Sequence, residues 1–503
     1  MTVDSEGRGT TAGGGGLART LRRGAVLSAG GLVVVQIVSL VQTLVIARIL
    51  TPAEVGVFAA GTVLSAFLMT FSEGGMRNAL VQRERNVEDA ADTVFWATLG
   101  AGVLWAALAV AVAPAIARVF DSPLAGLVVV ATAGTIILHA LTNVPDSLMQ
   151  RRFDFRQRVI VQPAVAVGFA VSAVAFCAAG FGVWGLVIGS YVSQVVWLVA
   201  SWSLAGWRPG KGRPSLRLWR ELARYGLPLV LGTVVDRARD LLETAAVGGA
   251  MDSSALGHYR YGRRLASLPG TAIIEVGSYV LFPAFARIHG DATRLKQAFL
   301  RALRVLWGAA APAGALVVVL GEPLIVLLLG EPWRGAAVMF VALAGSGPGV
   351  AMAAVGMETI KGCGRTGLLN WLTGPATVVG IGLLFALLPF GLVGVGLALS
   401  ITSFGSGLLS LLLARRLADV SLRELRDRLV PPLVAAVVAA TAVGLLEHTV
   451  SRSDTWGIAL GLAVLCGEGL VFLAIYFGLL RLIDPAGLPE ADAALRRLRR
   501  AGR

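Results

Sequence analysis

Nine ionisable side chains interrupt two otherwise apolar stretches between Tyr225 and Arg287, and their types suit the handling of an anion. The first stretch holds Asp236, Arg237, Arg239, Asp240 and Glu243; the second holds Arg260, Arg263, Arg264 and, further along, Glu275. On a helix, positions three and four apart share a face. Asp236, Asp240 and Glu243 then form one stripe, Arg239 reaches Asp236 and Glu243, and Arg237 meets Asp240 from the flank. Arg260 and Arg264 are neighbours one turn apart, with Arg263 beside them. Five arginines against four acids leave a cationic surplus, and the planar guanidinium fork matches phosphate or pyrophosphate oxygens. The plainer alternative is a set of salt bridges that pins two helices together.

These charges are expensive where they stand. The chain has 503 residues, of which 56% are hydrophobic and 15% charged, with a mean hydropathy of +0.76. A soluble protein carries about 25% charged residues, so this composition describes an integral membrane protein. A charge at the centre of a spanning helix costs roughly 2.5–3.5 kcal/mol on insertion scales and persists where it pairs or faces water. Such a residue is a functional candidate by default.

A span needs about 20 mostly apolar residues. Fourteen runs qualify: 25–47, 55–72, 92–117, 123–145, 160–180, 183–203, 226–250, 256–284, 300–320, 335–357, 367–388, 391–414, 430–447 and 456–480. With a cytoplasmic amino terminus, 35 of the 44 Lys and Arg fall in inside segments, four fall outside (Arg48, Arg118, Arg334, Arg452), and five are intramembrane. That asymmetry follows the positive-inside rule. It accounts for the net charge of +14 through anionic headgroups, so nucleic acid is not needed as a partner. The expected architecture is all-α. Residues 1–23 form a disordered cytoplasmic terminus, 24–205 a lobe of six spans, and 206–224 a cytoplasmic linker whose amphipathic part (214–224) lies on the headgroups. Residues 225–416 form a second lobe of six, 417–482 two further spans, and 483–503 a basic cytoplasmic tail.

The two lobes are related by a repeat. Leu50-Thr-Pro-Ala-Glu-Val-Gly56-Val-Phe58 aligns without a gap to Met251-Asp-Ser-Ser-Ala-Leu-Gly257-His-Tyr259, at an offset of 201, and Gly61 keeps register with Gly262. Phe181-Gly182 and Gly185-Leu186 echo Phe390-Gly391 and Gly396-Leu397. Six spans per unit give like-oriented halves, the parallel-repeat plan of a two-lobed transporter with substrate between the lobes. Glu73 and Glu275 then sit at nearly equivalent positions. Each is placed to carry a coupling proton or to pair with Arg77 or Arg287 in an inner gate. Asn143, Asp146 and Gln150, with Gln36 and Gln42, are polar positions suited either to a lumen or to interhelical bonding. Pro163 and Pro269-Gly270 read as kinks.

Other chemistry is poorly supported. Cys177, Cys363 and Cys466 lie in apolar runs without metal-ligand spacing. His139, His258, His289 and His448 are scattered, the longest outer loop is about 321–334, and its Gly321-Glu322-Pro323 and Gly330-Glu331-Pro332 read as turns without chemistry. A membrane glycosyltransferase or ligase would need more. No GxxxxGK[ST] loop occurs, so ATP drive is not indicated and no cofactor is expected.

Ala47-Arg48-Ile-Leu50-Thr-Pro52-Ala-Glu54-Val-Gly56-Val-Phe58 resembles the first outer turn of the Wzx-type polysaccharide and oligosaccharide flippases of the multidrug/oligosaccharidyl-lipid/polysaccharide exporter superfamily. Gly257-His-Tyr259 with Leu281-Phe282-Pro283-Ala-Phe285-Ala-Arg287 is similar to span eight of the colanic-acid-exporter branch. The resemblance covers about 25–420. It implies two six-helix lobes in a V, two extra helices and alternating access. The implied cargo is an undecaprenyl-diphosphate-linked glycan, moved to the outer leaflet of a bacterial cytoplasmic membrane by a proton or sodium gradient, with both termini cytoplasmic. Partners would be membrane lipids and polysaccharide or lipopolysaccharide biosynthesis machinery. A lipid II flippase is a close alternative; a drug/cation antiporter would want an acidic pocket. Expected substrate contacts are Arg237, Arg239, Arg260, Arg263, Arg264 and Tyr259. Expected ion-coupling or gating acids are Asp236, Asp240, Glu243, Glu275 and Glu73.

Overall fold

A computed structural model of the chain describes residues 14–152, 154, 156–276 and 280–483. Among these the fold is all-α, with no strand. The helices are α1 (Gly14–Ile49), α2 (Pro52–Glu73), α3 (Met76–Gln82), α4 (Val87–Val119), α5 (Pro123–Arg151), α6 (Gln162–Phe176), α7 (Val183–Ala205), α8 (Leu216–Ala250) and α9 (Ser253–Val276). They continue as α10 (Phe282–Ile288), α11 (Ala292–Leu329), α12 (Arg334–Ala342), α13 (Ser346–Gly362), α14 (Gly367–Leu387), α15 (Gly391–Leu417), α16 (Leu422–Leu446) and α17 (Ile458–Ile483).

Eleven stretches are long and apolar enough to cross a bilayer, and one of them, Gly367–Leu417, contains both α14 and α15. The segments expected at 226–250 and 256–284 correspond to α8 and α9, which have the length but too much charge to qualify by composition. Several boundaries move. Residues 14–23, expected to be disordered, begin α1, and residues 1–13 lie outside the described residues. Residues 216–224 are no separate surface helix but the first turns of α8. Gly321-Glu322-Pro323 is no turn: α11 runs through Pro323 to Leu329 and stops at Gly330, whose φ of 105° ends the helix. The tail beyond Ile483 lies outside the described residues.

The chain divides into two compact units. One is the chain up to Leu50 with Ala60–Leu242; the other is Thr51–Ala59 with Glu243 onward. The division thus falls inside α8 and not in the 206–224 linker. The reason is local packing in the first unit. Leu222 joins the core of Met76, Ala79, Leu80 and Phe95. Gly226 crosses Gly75 so closely that a Cβ on Gly75 would lie 2.2 Å from the Gly226 carbonyl oxygen. The linker is also fastened: the Asp92 carboxylate, 1% exposed, accepts from the backbone N–H of Gly210 (3.1 Å) and Gly212 (2.5 Å).

Hydrocarbon supplies no hydrophobic drive between helices, so close small-residue contacts hold them together. In the first unit Ala106, Ala109 and Ala113 of α4 meet Val129, Ala133 and Ile136 of α5. Ser122 caps α5 by accepting from Ala125 N–H, with Pro123 at the first helical position. In the second unit α13 and α15 touch backbone to backbone at Gly349 and Gly407.

The second unit also contains the repeat's two outer turns, and they meet reciprocally. A Cβ on Gly56 would stand 1.7 Å from the Ser253 carbonyl oxygen, and a Cβ on Gly257 would stand 2.0 Å from that of Pro52. Ser253 and Pro52 are themselves related by the offset of 201, so each turn makes the same contact with the other. Gly56→Ala is therefore expected to lower the unfolding free energy by about 1–3 kcal/mol, as overpacking does. Gly100→Ala, where a Cβ meets nothing within 4 Å, should be neutral or stabilising by up to about 1 kcal/mol. Thermal melts of the two purified variants check the pair, and equal effects would contradict the crossing.

Candidate functional site

In the second unit the arginine segment is sorted into a locked side and an open side. Tyr259 and Arg263 lie one turn apart on α9 and both turn to Glu243, the first residue of α8 that belongs to this unit. The Tyr259 hydroxyl donates to Glu243 Oε2 at 2.9 Å, and Arg263 Nη1 donates to the same carboxylate and to the Tyr259 oxygen. Arg263 also rides over the Tyr259 ring, 5.7 Å from its centroid. Glu243 and Tyr259 are each 1% exposed. Arg260 and Arg264 point to the other side of α9 and are exposed. The start of α9 is anchored by Tyr261 stacked on Trp333 (4.3 Å) and His258 edge-on to it (5.9 Å).

The structure thus splits the expected set. Tyr259, expected to touch substrate, is buried and spends its hydroxyl on Glu243. Arg263 and Glu243 have each other. Arg260 and Arg264 remain on an open face. Of the expected stripe of three acids on α8, Glu243 falls in the second unit and Asp236 and Asp240 in the first.

In the first unit Asp236 and Arg237 are exposed, and Arg239 and Asp240 are half-buried. Arg237 Nη1 stands 3.9 Å from Asp240 Oδ2, a loose pair with both side chains near half exposure. Glu73, at the end of α2, takes neither Arg77 nor Arg287 as its hydrogen-bond partner: its Oε1 meets His139 Nε2 at 2.8 Å. Arg77 and Arg237 also act on its charge. His139 begins a polar column on α5 that continues one turn on at Asn143 and again at Asp146. Trp197 Nε1 donates to Asp146 Oδ2 (3.0 Å), Ser201 Oγ donates to Oδ1 (2.7 Å), and Arg77 stands 3.9 Å away. His139 Nδ1 and both amide atoms of Asn143 are buried without a hydrogen-bond partner. Buried polar atoms are nearly always satisfied, so these three stand out in the column.

His139 was not singled out from the sequence, although its spacing to Asn143 and Asp146 carried the signal. Glu358 was missed as well: it is 5% exposed and bonded to Lys361 at 2.8 Å. The side chain of Glu275 lies outside the described residues. Among the described residues no group of His, Cys, Asp and Glu could hold a metal ion.

A family described as "Polysaccharide biosynthesis protein" matches residues 45–338, more than half of the chain. The chain is 26% identical over 327 residues to the succinoglycan biosynthesis transport protein ExoT of Rhizobium meliloti, covering 65% of this chain and 66% of that one. It is 27% identical over 317 residues to the lipopolysaccharide biosynthesis protein WzxC of Escherichia coli, covering 62% and 63%. The matched part thus spans just under two thirds of those relatives. The fold is similar to that of a solved structure described as lipid II flippase MurJ, inward closed conformation, with a TM-score of 0.72 and 15% identity over 90% of this chain and 99% of that one.

Removing one partner of a buried pair strands the other charge, which costs about 3–5 kcal/mol. Arg263→Met should therefore destabilise by that amount. Adding Glu243→Gln in the same chain should recover most of the loss, a non-additivity readable from melts of the two single variants and the double.

Proposed function

The chain belongs to the polysaccharide biosynthesis protein family, and from that membership we propose that it is a flippase for a lipid-linked saccharide. It carries an undecaprenyl-diphosphate-linked oligosaccharide or repeat unit from the cytoplasmic to the outer leaflet of a bacterial cytoplasmic membrane. Both termini face the cytoplasm, fourteen helices span, and the chain works as a transporter beside the enzymes of polysaccharide biosynthesis. The observation that carries this reading is the pair Arg260 and Arg264, exposed one turn apart on α9. Fixed guanidiniums at that spacing suit the two phosphates of a lipid diphosphate. Arg263, Glu243 and Tyr259 hold α9 so that the pair is presented. Arg237 and Arg239 are assigned as further anion contacts.

Transport against a gradient needs a coupled ion, and the reading assigns it to Glu73 and His139. A carboxylate and an imidazole 2.8 Å apart are a pair between which a proton can pass. The unpartnered Nδ1 and the Asn143 amide give the proton a way on. A drug or cation antiporter is disfavoured, because the exposed charges on α9 are arginines.

Arg260→Ala and Arg264→Ala should each cut export of the lipid-linked glycan by tenfold or more, the scale of losing a charge-assisted hydrogen bond of about 1.5–3 kcal/mol. Membrane insertion should stay normal, and undiminished export in both variants would end the ligand assignment. Glu73→Gln should abolish the pH dependence of transport in proteoliposomes carrying an imposed proton gradient. A sodium gradient that drives the wild type at constant pH would refute proton coupling.

A further inference from the structure

The last two helices, beyond the family match at 45–338, each carry an acid in their packed seam. The buried stripe of α17 is Gly461, Leu465, Glu468, Phe472 and Tyr476. The buried stripe of α16 runs through Pro432, Ala435, Ala439 and Val443, and Glu447 extends it one turn into the π turn Glu447–Ser451. The apolar members of both stripes form one core with Leu320 and Leu327 of α11. Glu447 and Glu468 are each 3% exposed and lie close enough that the charge of one acts on the other, with Ser451 adjoining Glu468. Glu447 Oε1 accepts from Ser453 N–H (2.8 Å) and Ser453 Oγ (2.7 Å). Glu447 Oε2 and both oxygens of Glu468 are buried without a hydrogen-bond partner.

No cation on the packed elements answers these acids. Arg334 is engaged by Glu322 of α11, by Glu331 and by Asp454 of the turn that joins α16 to α17. Arg452 and His448 are exposed. The basic residues of α11 lie in its first turns, Arg294 to Arg304, at the far end from Leu320 and Leu327. Two neighbouring carboxylates in a dry seam cannot both ionise. A hard cation would seek about six oxygens, whereas this seam offers three free carboxylate oxygens, and its Ser453 groups already serve as donors. A single proton needs only two oxygens.

We propose that Glu447 and Glu468 form a proton-binding site in which Glu468 donates one retained proton to the free Oε2 of Glu447, fastening α16 to α17. Ser453 steadies the partner that stays ionised. When the proton leaves, two like charges face each other across the seam and the helices separate at that level. This site stands apart from the Glu73–His139 pair and from the transport reading, and its test does not use transport.

The experiment is infrared difference spectroscopy of the full chain in lipid nanodiscs, in sodium-free buffer, titrated from about pH 5 to about pH 9, well above the ordinary glutamate value of about 4.3. The wild type should keep a carboxylic-acid carbonyl band past neutral pH, and its melting midpoint should fall as that band disappears. Glu468→Gln should remove the band and flatten the pH dependence of melting, and Glu447→Gln should shift the band. Ser453→Ala, a milder change that removes the hydroxyl donor to Glu447 and leaves the backbone N–H, should move the titration midpoint upward, because it makes the partner carboxylate a stronger acceptor for the retained proton. A wild type without the band at neutral pH overturns the proposal. So does a band untouched by Glu468→Gln, or one that added sodium removes at constant pH.

Discussion

An ionised side chain inside hydrocarbon must find a partner, water or a proton, and the way each acid of this chain meets that demand organises the structure. Glu243 meets it with a guanidinium and a phenol at once. Glu73 meets it with His139. Asp146 uses an indole, a hydroxyl and a more distant arginine, and Asp92 uses backbone N–H groups of the linker. These solutions differ in what they permit. A carboxylate held by both Arg and Tyr fixes a helix. One bonded to an imidazole is tied to a group that can either donate or accept a proton. The arginines follow the same logic: Arg263 is spent on architecture, while Arg260, one turn before it, and Arg264, the next residue, are exposed.

Position along the helix therefore matters as much as residue type. On α9, Tyr259 and Arg263 share one face and Arg260 and Arg264 the next, so one residue's step, a rotation of about 100°, separates a structural pair from an exposed one. The helix is held in that rotation by Trp333, against which Tyr261 and His258 pack, and by Gly257, whose missing side chain lets α9 meet the Thr51–Ala59 turn. A β-carbon at either glycine of the crossing would push α9 away and turn its arginines. The small residues and the charged ones are in this sense one device.

Much of this was legible in the sequence, and what was not has a common cause. Apolar runs and the Lys/Arg asymmetry identify spans because bilayer thickness and headgroup charge act on composition alone. The nine-residue repeat at an offset of 201 was readable, and the reciprocal contact of Gly56 and Gly257 gives it a physical meaning. Pairings between helices were not readable: nothing in the sequence says that Glu73 faces His139 across 66 residues, or that Glu447 and Glu468 share a seam. Two boundary errors came from reading residues by their usual role. Gly321-Glu322-Pro323 looks like a turn, yet a proline inside a long helix costs one hydrogen bond and the helix carries on. The 214–224 segment looks like a surface helix, yet nothing between Leu216 and Tyr225 stops it before the span.

The departure from a simple cationic lumen now has an explanation in the same terms. Nine charges on α8 and α9 counted together give a surplus of one arginine, which is weak ground for an anion site. Once Glu243 and Arg263 are set aside as a closed pair, and Asp236 and Asp240 are assigned with Arg237 and Arg239 to the other unit, the exposed charge of α9 before Glu275 is purely arginine. Local charge governs recognition, since interactions between exposed groups fade beyond about 8 Å at physiological salt. Two guanidiniums with Cβ atoms about 5–6 Å apart therefore form a doubly positive patch on α9.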